Sequence, residues 1–170
     1  LKLAIGPRTA MILVLAGGRS EKGPLSIKEI ASIAKPLGVP ILVDAAAEVL
    51  EVPNPHISQG ADLVAYSGGK YIRGPQCAGL LLGRKDLIIA SRINAGPHHG
   101  FGRGFKVGRE EIMGMLAAVE TWFKRDHAAE WKTWVSYGNH IIQRLANVKG
   151  VTTQLSEPTA RSNRAPSVTI

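Results

Sequence analysis

Two short apolar runs bracket one amphipathic helical stretch, and that order restricts the chain to very few architectures. Residues 11–15 (Met11, Ile12, Leu13, Val14, Leu15) form the first run, and residues 40–44 form the second, ending in Asp44. Between them Ser26 is placed as an N-cap, and apolar residues recur at Ile27, Ile30, Ala31, Ile33, Ala34 and Leu37, one face of a helix that Gly38 stops. A strand, helix, strand order makes the two strands parallel, and runs without polar alternation predict strands covered on both faces, as in an α/β sheet.

The pattern continues with a third strand over residues 63–67 and a fourth over 78–82. Too few residues join them for a helical crossover, so the fourth strand is expected to be antiparallel. A helix is expected over 84–94, then a long loop rich in Gly, Pro and His over 95–108, whose length points to binding or to contact with a partner chain. One long helix is expected over 110–146, bent near Gly138, followed by strands at 151–155 and 167–170. The domain reading is therefore residues 1–108 as the C-terminal half of a large domain, 109–147 as a linking helix and 148–170 as the start of a small domain. A chain that opens on Leu1 and closes within an apolar strand is expected to be part of a longer protein.

Lysine and arginine total 21 against 13 aspartate and glutamate, a net charge of +8. That excess attracts anions without choosing among phosphates, acidic sugars and nucleic acid. The single cysteine, Cys77, cannot close an internal disulfide, and no apolar run approaches the length of a membrane span. A cytoplasmic protein without a membrane partner is expected.

The chemistry concentrates at the ends of two strands. Asp44 closes the second, and Lys70 follows the third across Ser67, Gly68 and Gly69, a turn free to leave the sheet sharply. A lysine in such a place can be desolvated into an amine nucleophile, and a neighbouring strand-end carboxylate can keep a pyridine nitrogen protonated. Pyridoxal 5′-phosphate requires both. Ser67 and the turn's backbone N–H groups suit its phosphate, and the small side chains of Ala45, Ala46 and Ala47 let a flat ring approach. Ligands of open α/β sheets gather at the carboxyl ends of strands, where Asp44 and Lys70 both lie.

Competing motifs fail. A phosphate-binding loop of the G-x-x-x-x-G-K-[ST] form would need glycine where Val64 stands and Ser or Thr where Tyr71 stands, so both ends of the motif fail. The glycines 100, 102 and 104 lack dinucleotide-binding spacing. His98 and His99 have no acidic or cysteine neighbours at ligand spacing, so no metal site is expected. Arg103 and Lys106 form a basic pair suited to a carboxylate or phosphate. Trp122, Trp131 and Trp134 are taken as a packing stripe rather than a stacking platform for bases.

Four segments together resemble the fold type I pyridoxal phosphate enzymes, in the branch of the selenocysteine synthases (L-seryl-tRNA(Sec) selenium transferases) and D-glucosaminate-6-phosphate ammonia-lyases. They are Val-Asp-Ala-Ala-Ala-Glu at 43–48, the run at 60–70 that ends in Lys70, Gly-Pro-Gln-Cys-Ala-Gly at 74–79, and Gly-Arg-Gly-Phe-Lys-Val-Gly at 102–108. The resemblance covers roughly residues 9–122. It implies that Lys70 carries the internal aldimine and later shuttles the α-proton, that Asp44 pairs with the pyridine nitrogen, and that Ser67, with Ala46 and Gly69 beside it, holds the cofactor. It also implies a homodimer, or higher homo-oligomer, with Gly74 near the neighbour's phosphate and Arg103 and Lys106 binding an anionic substrate. The Ala-Ala-Ala-Glu run is more similar to the ammonia-lyase side of the branch than the Gly/Ser run of the selenium transferases. The expected activity is elimination on a hydroxylated amino acid or amino-sugar acid. Selenium or other group transfer onto seryl-tRNA is the alternative, with tRNA not favoured as a partner, and a non-catalytic scaffold is the alternative of another class. The ring-stacking residue and further phosphate contacts are expected in sequence preceding this chain.

Overall fold

A computed structural model of the chain describes residues 1–17, 23–162 and 164–170. Strands β1 (Ile12–Leu15), β2 (Ile41–Asp44), β3 (Leu63–Ser67) and β4 (Gly79–Gly83) form one sheet in sequence order. β1, β2 and β3 are parallel and β4 is antiparallel to β3, as the short connection requires. The register aligns Leu15, Asp44 and Ala65 across the three parallel strands.

Helix α1 (Ile27–Ala34) starts where a capping box dictates: Glu29 N donates to Ser26 Oγ at 3.2 Å, and Ser26 N donates to Glu29 Oε2 at 2.7 Å. It ends through a 3₁₀ turn at Lys35–Leu37 and Gly38, whose φ of 69° is the left-handed stop. Ile27, Ile30, Ala31 and Ala34 are buried with Val39, Ile41, Val43 and Val64 in one core. β1 departs from the expectation of cover on both faces, since Leu13 and Leu15 are 65% and 75% exposed. It is the sheet's edge strand, with α1 against one face, and among the described residues nothing covers the other.

A short helix, α2 (Pro55–Gln59), escapes sequence periodicity because five residues make barely one turn. Asn54 Oδ1 caps it, accepting from His56 N at 3.1 Å and Ile57 N at 3.2 Å. Helix α3 (Lys85–Asn94) follows β4 and buries no residue.

The single helix expected over 110–146 is two: α4 (Arg109–Lys124) and α5 (His127–Leu145). Arg125 is extended and Asp126 caps the new helix, accepting from Ala129 N at 2.9 Å, so the chain restarts there rather than bending at Gly138. Gly138 lies within α5 for another reason. A Cβ there would stand 2.7 Å from Leu155 Cδ1, so the missing side chain admits the hairpin of β5 (Gln154–Ser156) and β6 (Ser167–Thr169) onto the helix. Both strands are shorter than the sequence ranges 151–155 and 167–170. No helix among the described residues is long and apolar enough to cross a membrane.

Candidate active site

Adjacent parallel strands bring the two chemical residues to one end of the sheet. Asp44 ends β2, and Ala45 N donates to Ala65 O of β3 at 2.9 Å, so the loop leaving β2 runs beside the last residues of β3. Asp44 Oδ1 accepts from Ala46 N at 3.0 Å, an Asx turn that fixes the carboxylate at the strand end; its other oxygen has no donor among the described residues. Ala45 is buried, and Ala46 and Ala47 are half-buried.

On the neighbouring strand Ser67 is half-buried, and the chain then turns tightly over residues 68–72. Gly68 N donates to Ala78 O at 2.9 Å and Gly74 N to Gly68 O at 2.7 Å. A Cβ at Gly68 would lie 2.7 Å from the carbonyl oxygens of both Pro75 and Ala78, so only glycine fits. One amide that the sequence offers to an anion is therefore spent inside the protein, while the Gly69 and Lys70 amides keep no internal acceptor among the described residues. Gly69 faces the side chain of Gln76, whose Nε2 donates to Gly69 O at 3.4 Å. Gly74 sits against α4, where a Cβ would lie 3.0 Å from Ala118 Cβ and 3.2 Å from Met115 Sδ, a tight fit unless those side chains shift.

Lys70 itself is exposed in the isolated chain, not enclosed as a desolvated nucleophile would be, although Gly68 and Ile72 on either side of it are buried. It lines a cleft of about 290 Å³ with Ala47, Tyr71, Arg73, Trp134 and Ala165. Ala47 belongs to the Asp44 loop, so the exits of β2 and β3 meet in this cleft. Arg73 was not singled out by sequence, although it lies three residues beyond Lys70. It adopts φ 60°, donates to both carboxylate oxygens of Glu130 at 2.8 and 3.3 Å, and lies 5.5 Å over the Trp134 ring. Burial raises the Tyr71 phenol above its ordinary value, with Arg164 opposing, so its O–H remains a donor at neutral pH.

A second cleft, of about 440 Å³, adjoins the first, sharing Tyr71, Arg73 and Trp134 with it and adding Trp131 and Arg164. Trp122 alone of the three tryptophans packs as expected: it is buried and donates to Leu50 O at 3.0 Å, whereas Trp131 and Trp134 are half-buried cleft walls. Arg103 and Lys106 line a third cleft, of about 610 Å³, with Gly96, Pro97 and Arg109, and it shares no residue with that of Lys70. His98 and His99 are exposed, and the described residues hold no cluster of three or more His, Cys, Asp or Glu at metal-binding distance.

These residues fit pyridoxal phosphate. A carboxylate with an open oxygen, a primary amine on an adjacent turn and a loop of alanines between them match the ring nitrogen, the aldehyde and the ring face. Residues 2–169 match the family described as aminotransferase class-V. The protein belongs to that family. Class-V aminotransferases depend on pyridoxal phosphate. The chain is 36% identical over 123 residues to D-glucosaminate-6-phosphate ammonia lyase of Salmonella typhimurium, covering 72% of this chain and 32% of that protein. It is 40% identical over 93 residues to 5′-C-glycyluridine monooxygenase-decarboxylase of a Streptomyces species, covering 55% and 22%. It is 28% identical over 142 residues to L-seryl-tRNA(Sec) selenium transferase of Moorella thermoacetica, covering 75% and 29%. A solved structure of D-glucosaminate-6-phosphate ammonia-lyase superposes with a TM-score of 0.71 at 29% identity, over 97% of this chain and 42% of that one. This class-V chain thus spans about a third of the length of the ammonia lyase and the selenium transferase it matches.

Proposed function

We propose that the protein containing this chain catalyses elimination on a hydroxylated amino acid or amino-sugar acid with pyridoxal phosphate. The observation that carries it is the meeting of the β2 and β3 exits, where Ala47 of the Asp44 loop and Lys70 share one cleft. Pyridoxal phosphate, when bound, supplies an electron sink for the pair left on the substrate's α-carbon. The chain's own residues divide the remaining work. Asp44, whose Oδ1 is held by Ala46 N, would accept the ring N–H through its open oxygen. Lys70 would hold the cofactor through Nζ and carry the substrate's α-proton, and Ser67 Oγ would donate to the phosphate. The alanines at 45–47 would leave the ring room, with Ala46 and Gly69 bordering it.

Arg103 and Lys106 are proposed as the substrate's anion site. Because their cleft is separate from that of Lys70, this role is proposed across a homodimer, with Gly74 beside the partner's phosphate. Phe101 and Phe105, fully and 87% exposed, flank them and supply apolar contact for such an interface. In this reading residues 1–108 complete a large domain, 109–147 link and 148–170 begin a small domain, in a cytoplasmic protein.

The test uses the full-length protein, incubated with pyridoxal phosphate and then borohydride. A reduced adduct on Lys70, lost in Lys70→Ala, supports the reading; an adduct retained in Lys70→Ala, or none in either protein, overturns it and in the second case favours a scaffold. Group transfer on seryl-tRNA is a second reading, supported by the selenium transferase relatives and permitted, without being favoured, by the net charge of +8. Binding of seryl-tRNA that weakens steeply with salt would favour it.

A further inference from the structure

The cleft of Trp131 and Trp134 adjoins the Lys70 cleft and takes no part in that chemistry. We propose that it holds the part of the substrate that does not react, and that this part is a flat aromatic ring carrying an anionic group. The inference rests on the pyridoxal phosphate reading of Lys70 and chooses among the substrates that reading allows.

Continuity comes first. Tyr71, Arg73 and Trp134 line both clefts, so a molecule held at Lys70 that extends past these residues enters the larger one. A volume of about 440 Å³ lies within the range of small-molecule sites.

The walls then select the ring. The Trp131 and Trp134 indoles stand 6.3 Å apart at 59°, and a guanidinium lies over each: Arg164 Cζ is 5.4 Å from the Trp131 ring centroid, and Arg73 Cζ is 5.5 Å from that of Trp134. Indole faces and guanidinium groups both accept a flat aromatic group. A polyol would find few acceptors, because the lining contains no Asp, Asn, Gln, Ser or Thr, and its one carboxylate, Glu130, is engaged by both Arg73 nitrogens. The walls therefore favour an aromatic amino acid derivative over an amino-sugar acid.

The charge selects the anion. Arg73 and Glu130 neutralise each other, leaving Lys132 and Arg164 as surplus cations on the lining. Arg164 is exposed and has no carboxylate partner among the described residues, and the neutral Tyr71 phenol offers a donor beside it. A carboxylate or phosphate on the ring would meet Arg164.

The experiment is calorimetric titration of the full-length protein, loaded with pyridoxal phosphate, using adenosine 5′-monophosphate as the ring-bearing anion. Adenosine, glucose 6-phosphate and inorganic phosphate are the controls. Saturable binding of adenosine 5′-monophosphate is expected, at least about ten-fold tighter than any control and weakened about ten-fold by Arg164→Gln, which alters an exposed side chain and leaves folding intact. Trp131→Leu is expected to weaken it similarly. Equal binding of glucose 6-phosphate removes the aromatic ring from the proposal, equal binding of adenosine removes the anion, and an unchanged affinity in Arg164→Gln overturns the site. Lys70→Ala keeps this binding while losing the borohydride-reducible adduct, so failure of the cleft and failure of the Lys70 assignment give different results.

Discussion

Glu48 Oε2 and His56 Nε2 lie 2.5 Å apart, with both side chains buried under the loop that carries Asp44. Glu48 also accepts from Ser162 Oγ at 3.3 Å, and Val49 N donates to Arg161 O at 3.2 Å, so one carboxylate joins the Asp44 loop, helix α2 and the C-terminal segment that supplies Arg164 and Ala165 to the clefts. Removing either partner strands the other in the interior. Glu48→Ala and His56→Ala are each expected to cost about 3 kcal/mol by urea denaturation. The double variant should cost clearly less than the sum, and full additivity would show the pair to be uncoupled.

Asp44 separates cofactor retention from turnover. Asp44→Asn keeps the Ala46 contact through its amide oxygen but no longer stabilises a protonated ring nitrogen. The full-length variant should still give the borohydride-reduced adduct at Lys70 while turnover falls by at least about 100-fold. Unchanged turnover would remove Asp44 from the chemistry.

Gly68 and Gly69 are adjacent but should respond differently to alanine. At Gly68 the new methyl meets two backbone carbonyls that cannot withdraw, whereas at Gly69 it meets mainly the movable Gln76 side chain. Thermal unfolding should show Gly68→Ala less stable by about 2 kcal/mol or more and Gly69→Ala less affected. The Lys70 adduct should be lost first in the Gly68 variant.

Arg73 holds a left-handed backbone that costs a non-glycine residue about 1–2 kcal/mol. Its ion pair with Glu130 is partly exposed and is worth about 1 kcal/mol or less. Arg73→Gly loses the pair but relieves the backbone, so it should unfold within about 1 kcal/mol of the wild type. Arg73→Ala loses the pair and keeps the strain, and should be the less stable of the two. The reverse order would show that the side chain's contacts outweigh the backbone.

Tyr66 and Tyr71 both have phenols raised above 10.0, each chiefly by burial; Glu48 and Glu51 add to the rise at Tyr66, and the Asn54 amide opposes it. An acid whose folded pKa is raised ionises first in the unfolded chain. The stability it contributes is therefore complete below about pH 10 and is lost as pH rises through the folded values. Melting temperature should hold steady near pH 8–9 and fall above about pH 10, and Tyr66→Phe should blunt that fall.

The strand and helix pattern was legible because it is local. The capping box at Ser26 and Glu29, the apolar stripe of α1, the Gly38 stop and the short connection that turns β4 antiparallel are all properties of neighbouring residues. Asp44 and Lys70 were legible too, since each closes or follows a strand whose direction the βαβ order already dictates. Tertiary packing decided the rest. Gly138 resembles a hinge in one dimension and is a seat for Leu155 in three. Arg125 and Asp126 divide a continuous helical pattern because a capping side chain outweighs modest propensity. Trp131 and Trp134 share the helical spacing of a packing stripe, but Arg73 and Arg164, from distant segments, make them walls of a cleft. Glu48 and His56, eight residues apart and with nothing in sequence to pair them, become a buried pair because α2 folds back beneath the Asp44 loop. A sequence specifies which groups are present and what their neighbours are, whereas desolvation and charge pairing depend on distances that only the folded chain sets.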